Sequence, residues 1–80
     1  MYPSVIDVIP LQDYKLKLKF DTDETKIFDI TPYLTWGRFS ELNDISLFRR
    51  VFVSFDSVEW PNGLDLDPEI LYEKGELLIP

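Results

Sequence analysis

The sequence predicts an α+β domain: a small, mainly antiparallel sheet, made of an N-terminal hairpin and C-terminal strands, with short helical turns packed on it. Three observations carry this. Tyr14, Leu16, Leu18 and Phe20 alternate with Lys15, Lys17 and Lys19, a period of two that marks a strand with one face in the core and one in water. Apolar runs of strand character return late in the chain, at residues 51–55 and 58–60. Between these groups lie only short segments with helix-start residues, none long enough for the crossovers of a parallel sheet.

Residues 5–9, Val-Ile-Asp-Val-Ile, read as a first strand closed by Pro10. The lysine-alternating strand follows, then a turn at residues 21–24 and a returning strand over 25–30, which together make an antiparallel hairpin. Thr31-Pro32 reads as an N-cap and first-turn proline opening a helical turn through Tyr33 and Leu34, ended by Gly37. Two further turns are expected at 40–42 and 43–48, begun by Ser40 and by Asn43-Asp44. None can stand alone, so they must pack on the sheet. Residues 51–55 form a strand with Val51, Val53 and Phe55 on one face and Phe52 opposite, the pattern of a strand covered on both sides. Asp56-Ser57 is then a turn, residues 58–60 a short strand, and Asp67-Pro68 the start of a last helical turn. The tail at residues 76–80 is apolar enough for a final strand or a docking peptide.

Eighty residues make one domain, 1–80, that buries only about 60–65% of the surface its unfolded chain exposes. Six Phe, four Tyr and two Trp supply dense core material, which argues against disorder, and a dimer would add further burial. Cysteine is absent, which excludes disulfides and thiolate metal sites. Histidine is absent as well, removing the usual general base and every Ser-His or Cys-His arrangement. No catalytic, cofactor or metal site is therefore expected. The start lacks a basic stretch followed by an apolar run, so the expectation is a cytoplasmic protein without signal peptide or membrane span.

The net charge of −7 is lopsided. Residues 1–40 carry five Lys/Arg against six Asp/Glu, whereas residues 41–80 carry three against nine. Direct binding to phosphate backbones is disfavoured, because such a chain attracts counterions instead of releasing them. An acidic half suits a basic protein partner; it also keeps a small aromatic-rich domain in solution. The lysine row reads as a solvated face, of the kind that keeps an edge strand from pairing.

The densest conformational information lies at residues 60–68, Trp-Pro-Asn-Gly-Leu-Asp-Leu-Asp-Pro. Pro61 and Pro68 fix φ, Asn62-Gly63 favours positive φ, and Asp67 before Pro68 favours a helix start, so the segment is expected to turn a strand into a helix. Asp65, Asp67 and Glu69 are spaced by two, but a calcium loop needs further ligands at set distances that are missing. Capping explains Asp67. Asp65 either serves the Asn-Gly turn in the same way or faces a partner. Trp60, before Pro61, is expected to be buried.

Taken with Phe28-Asp29-Ile30-x-Pro32-Tyr33, Leu42 and Leu47-Phe48, the block Trp60-Pro61-Asn62-Gly63-x-Asp65-x-Asp67-Pro68-x-x-Leu71-Tyr72 resembles the domain-of-unknown-function 2442 family of small bacterial proteins. The resemblance covers nearly the whole chain. It implies an α+β fold and no established activity; some relatives carry an added helix-turn-helix, and members often sit beside another small protein in a toxin–antitoxin-like arrangement. This chain lacks that extension, and Asp23 stands in its hairpin turn where the family commonly has glycine. Asp tolerates the left-handed conformation, so the hairpin should persist.

The expected function is a non-catalytic protein-interaction module, the acidic antitoxin-like partner of a small, basic, toxin-like protein. The alternative is a transcriptional regulator that meets nucleic acid directly or as a dimer. Trp36 and Arg38, in a loop around Gly37, and Asp65 are the candidate partner-binding residues. Trp60, Pro61, Asn62, Gly63, Asp67 and Pro68 are the structural motif.

Overall fold

In the computed structural model, which describes residues 2–78, seven strands form two antiparallel sheets. Strands β1 (Val5–Leu11), β2 (Lys15–Phe20), β3 (Thr25–Asp29) and β7 (Glu76–Leu77) build the first in the order β1-β2-β3-β7. Strands β4 (Phe52–Ser54), β5 (Ser57–Glu59) and β6 (Asp65–Leu66) build the second in that order. Helix α1 (Ile45–Phe48) precedes β4, and α2 (Pro68–Lys74) links β6 to β7. The fold is α+β, as the sequence predicts.

The period-two strand does what its alternation requires. Leu16, Leu18 and Phe20 are fully buried, and the lysines lie on the opposite face. Here β2 is an interior strand, so its lysines guard no edge. They look out from the open face instead, with Asp7 opposite Lys19 and Asp29 opposite Lys15. The edge is β1, which continues past Pro10 to Leu11. Proline is tolerated there because one side of an edge strand needs no ladder donor.

One core joins both sheets. Trp60, Phe20, Phe28, Phe48, Leu42, Leu71 and Val58 are among its fully buried members. The helical connections differ in detail from the expected caps. Thr31 is not a cap: it lies inside a 3-10 turn, Thr31–Tyr33, with Ile30 before it, and its own N–H donates to the Asp29 carboxylate (2.9 Å). Gly37 (φ +48°) begins the next 3-10 segment, Gly37–Asn43, and does not end the previous one; Ser40 falls inside it. Asp44 caps α1 by accepting the Ser46 N–H (3.0 Å). That leaves the Asn43 amide to donate to the carbonyls of Leu34 (3.1 Å) and Ser40 (2.9 Å). The tail docks in cis, with β7 on β3 and the Leu78 N–H on Thr25 O at 2.8 Å; Ile79 and Pro80 lie outside the described residues.

The strand expected over 51–55 shows the largest departure. Only residues 52–54 pair, and β4 is the outer strand of its sheet, not a central one. Val53 is largely exposed, and Phe55 leaves the strand to form a two-residue turn with Asp56. A three-residue strand has too little sheet on either side to cover both of its faces.

Two hairpins share one loop design. Trp60 O accepts the Gly63 N–H (3.0 Å) while Trp60 N–H donates to Leu64 O (2.8 Å), with Gly63 left-handed at φ +91°. The β2–β3 turn repeats this: Asp23 N–H to Phe20 O at 3.0 Å, Phe20 N–H to Glu24 O at 2.9 Å, and Asp23 at φ +71°. Each is a type I turn closed by a left-handed residue, the usual three-residue hairpin. In the second loop an Asp bears the strain that glycine avoids in the first. Asp23→Gly is expected to stabilise the protein by about 0.5–1 kcal/mol. A thermal melt should show a midpoint higher by a few degrees; an unchanged or lower midpoint would contradict this account of the turn.

Candidate interaction surface

The 60–68 segment makes a strand-to-strand corner before it makes a helix. Pro61, Asn62 and Gly63 turn β5 into β6, and only then does Asp67 open α2. Trp60 is fully buried, and its indole N–H donates to Phe48 O at 3.0 Å, tying the corner to the end of α1. Asn62 Oδ1 accepts the Leu64 N–H (3.2 Å) within the turn. Asp67 caps α2 through the Glu69 N–H (2.9 Å), with Pro68 as the first helical residue. The structural motif thus has a task for each member.

Arg38 belongs to the same corner. Its guanidinium donates to Asn62 O (2.6 Å) and pairs with Glu41 (3.2 Å), and the Asn62 amide donates to Glu41 Oε1 (2.9 Å). This triangle holds the 61–63 loop against the 3-10 segment. Trp36 is 60% exposed and stands edge-on to Tyr33 (5.1 Å between centroids), which stacks on buried Phe28 (5.7 Å). It is an outward aromatic fixed to the core through one intervening ring.

Asp65 is placed elsewhere. The turn needs nothing from it, because Asn62 supplies the side-chain acceptor. On β6 it lies directly opposite Glu59 of β5, and Glu59 in turn faces Phe52 of β4. These residues share the outer face of the second sheet. A cavity of about 340 Å³ lies on that face, lined by Ser54, Phe55, Ser57, Glu59 and Asp65 together with residues 66–68, and no Lys or Arg is in its lining. Neither Trp36 nor Arg38 reaches it. The buried Ser57 hydroxyl donates to Leu66 O, closing the floor. Asp65, Asp67 and Glu69 do not converge: Asp67 caps α2, Glu69 accepts from Tyr2 Oη (2.9 Å), and no group among the described residues is arranged to hold a metal ion. No helix of the described residues is long and apolar enough to cross a membrane.

The residue that sequence reasoning missed is Phe55. Its side chain is 97% exposed, and its backbone is left-handed (φ +46°), as is that of Asp56 (φ +68°). A two-residue turn with both residues left-handed is the type I′ hairpin, whose preferred sequence is Asn-Gly. A bulky aromatic there is an outlier with no packing return. The signal was present in Asp56, a residue that accepts positive φ, beside apolar residues that break the alternation.

The sequence profile of the family described as "Protein of unknown function (DUF2442)" matches residues 5–76. The chain belongs to this family. No curated protein and no solved structure matches it. The matched range includes the Trp60–Pro68 corner just described, whose glycine and prolines answer to the hairpin loop and the helix start. Phe55 lies outside that corner.

Two consequences can be measured. Asn fits the first position of a type I′ turn, so Phe55→Asn is expected to stabilise the fold by about 1 kcal/mol and to raise the unfolding midpoint by about 4–8 °C. A fall in the midpoint would mean that the ring makes a stabilising contact. In the corner, the Asn62 amide and then Arg38 hold the Glu41 carboxyl below its ordinary value. A depressed folded-state value gives stability that is complete above the unfolded value, about 4.3, and lost as pH falls through the folded one. The midpoint advantage of the wild type over Glu41→Gln should therefore shrink between about pH 6 and pH 3. An advantage that grew towards acid would overturn the assignment.

Proposed function

We propose that this domain is a non-catalytic protein-interaction module and that the β4–β5 hairpin end of its second sheet meets the partner. One observation carries the reading: Phe55, a fully exposed aromatic held in a strained left-handed turn. Left-handed backbone at a residue with a Cβ costs roughly 1–2 kcal/mol, and an exposed ring recovers none of it by burial in the monomer. Outliers of this kind gather at binding surfaces, where an aromatic anchor gives affinity once it is covered. Phe52, opposite Glu59 on the outer face, extends the exposed apolar surface along β4.

The acidic half of the chain gives the partner its expected character, a small basic protein. An antitoxin-like role, which the family resemblance implies, is one form of this proposal. The regulator alternative gains no comparable support. The lysines of β2 have Asp7 and Asp29 as cross-strand neighbours, and such a face offers phosphate a balanced field.

The test is affinity capture from the native host with the full chain, run in parallel with Phe55→Ser, after both are shown to melt cooperatively. The expected result is a partner rich in Lys and Arg, retained by the wild type and reduced at least tenfold with the variant. Equal capture by both proteins, or none by the wild type, would overturn the proposal.

A further inference from the structure

We infer that the groove on the outer face of the second sheet takes an extended, arginine-bearing segment of a protein partner. The inference rests on the interaction-module reading and assigns the chemistry of what is bound.

Two features of the groove run against folding stability, and both favour the same ligand. Glu59 and Asp65 occupy directly opposed positions on adjacent antiparallel strands, an arrangement that like charges destabilise. Asp67 adds a third carboxylate to the lining, and no Lys or Arg lines the cavity to offset them. Phe55, with its ring open to a cation, lines the same cavity. Carboxylates beside an exposed aromatic ring match a guanidinium, which pairs with a carboxylate in its plane and stacks on a ring through its face. Lysine can do the first as a point charge but stacks less well.

The dimensions select an extended segment. Strands of two or three residues give a face about 10 Å long, and three strands make it about 10 Å wide. A globular interface of standard size buries about 800 Å² on each partner, far more than this face offers by itself. Three or four extended residues fit it, with alternate side chains reaching the carboxylates and the ring.

The experiment uses the full chain and a fluorescein-labelled eight-residue peptide alternating arginine with serine, followed by anisotropy. Matched peptides carry lysine or glutamate in place of arginine. Saturable one-to-one binding is expected, weakened at least tenfold by Phe55→Ser and at least threefold by Asp65→Asn. The lysine peptide should bind several-fold more weakly than the arginine peptide, and the glutamate peptide not at all. Asp13→Asn removes the same charge from the β1–β2 turn, outside the groove, and should change affinity less than twofold. If Asp13→Asn and Asp65→Asn weaken binding equally, the attraction is general and the inference fails. It fails too if Phe55→Ser has no effect. A captured partner that depends on Phe55 but is not displaced by the arginine peptide would leave the module reading intact and remove this one alone.

Discussion

The buried indole of Trp60 is the contact on which the second half of the chain depends. Its ring lies in the core that joins the two sheets, and its N–H satisfies the carbonyl of Phe48 at the end of α1. Both parts matter. An aromatic ring of this size removes roughly 150–250 Å² from water, a large share of what so small a core can bury. The hydrogen bond gives a fixed orientation, since an indole buried without a partner for its N–H would lose much of that gain. Helix α1 has four residues and no stability of its own, so it persists because Phe48 and Trp60 hold its end. From this anchor the chain is fixed in both directions. Forward, Pro61, Asn62 and Gly63 return it as β6, and Asp67 with Pro68 starts α2. Backward, Arg38 and Glu41 fasten the same loop to the 3-10 segment.

The two ends of β5 are built to opposite standards. At the Trp60 end the loop residues match the turn they form: proline at the second position, glycine at the left-handed one, and side-chain acceptors on turn and helix amides. At the Phe55 end the turn carries an aromatic where Asn or Gly belongs, and on the outer face of the sheet Glu59 stands directly opposite Asp65. Local sequence and global fold agree in the Trp60 turn and conflict in the Phe55 turn and across the Glu59–Asp65 pair. Such conflict concentrates where a surface serves something besides the fold, and here both conflicts fall on one cavity. The well-made corner provides the stability margin within which the other end is tolerated.

How much of this the sequence disclosed follows from how local each signal is. The β2–β3 hairpin was legible because Leu16, Leu18 and Phe20 alternate strictly with lysines over a strand buried on one face. The burial of Trp60, the exposure of Trp36 and the cap at Asp67 were legible because neighbouring prolines and glycines restrict the backbone there. Strand β6 was not: two residues carry no periodicity, and Asp65-Leu66 is defined only by its partner β5. Residues 51–55 misled for a related reason. Val51, Val53 and Phe55 recur at every second position although Phe52 between them is also apolar, but the hydrogen-bonded pairing stops at Ser54–Ser57, and pairing is a tertiary fact. Asp65 stood out as a candidate, yet Glu59 and Phe52 beside it did not, because only register across β5 brings them together. The cap expected at Thr31 is displaced because the Asp29 carboxylate takes the Thr31 N–H, and of Asn43-Asp44 it is Asp44 that caps α1, since Ser, Thr, Asn and Asp compete for the same amides.

The charges of the two outer sheet faces differ in how far they cancel. On the first sheet, Lys15, Lys17 and Lys19 run along an interior strand, and their cross-strand neighbours include Asp29 and Asp7, with Glu76 beyond Ile27. Opposite charges at such spacing cancel within a Debye length of about 8–10 Å, so that face projects little field. On the second sheet, Glu59, Asp65 and Asp67 gather around one cavity whose lining holds no cation. Their field is not cancelled locally, and a cavity wall of low dielectric focuses it outward. Three of the chain's fifteen acids thus share one cavity with the exposed aromatic, and the basic segment proposed above would meet carboxylates and ring together.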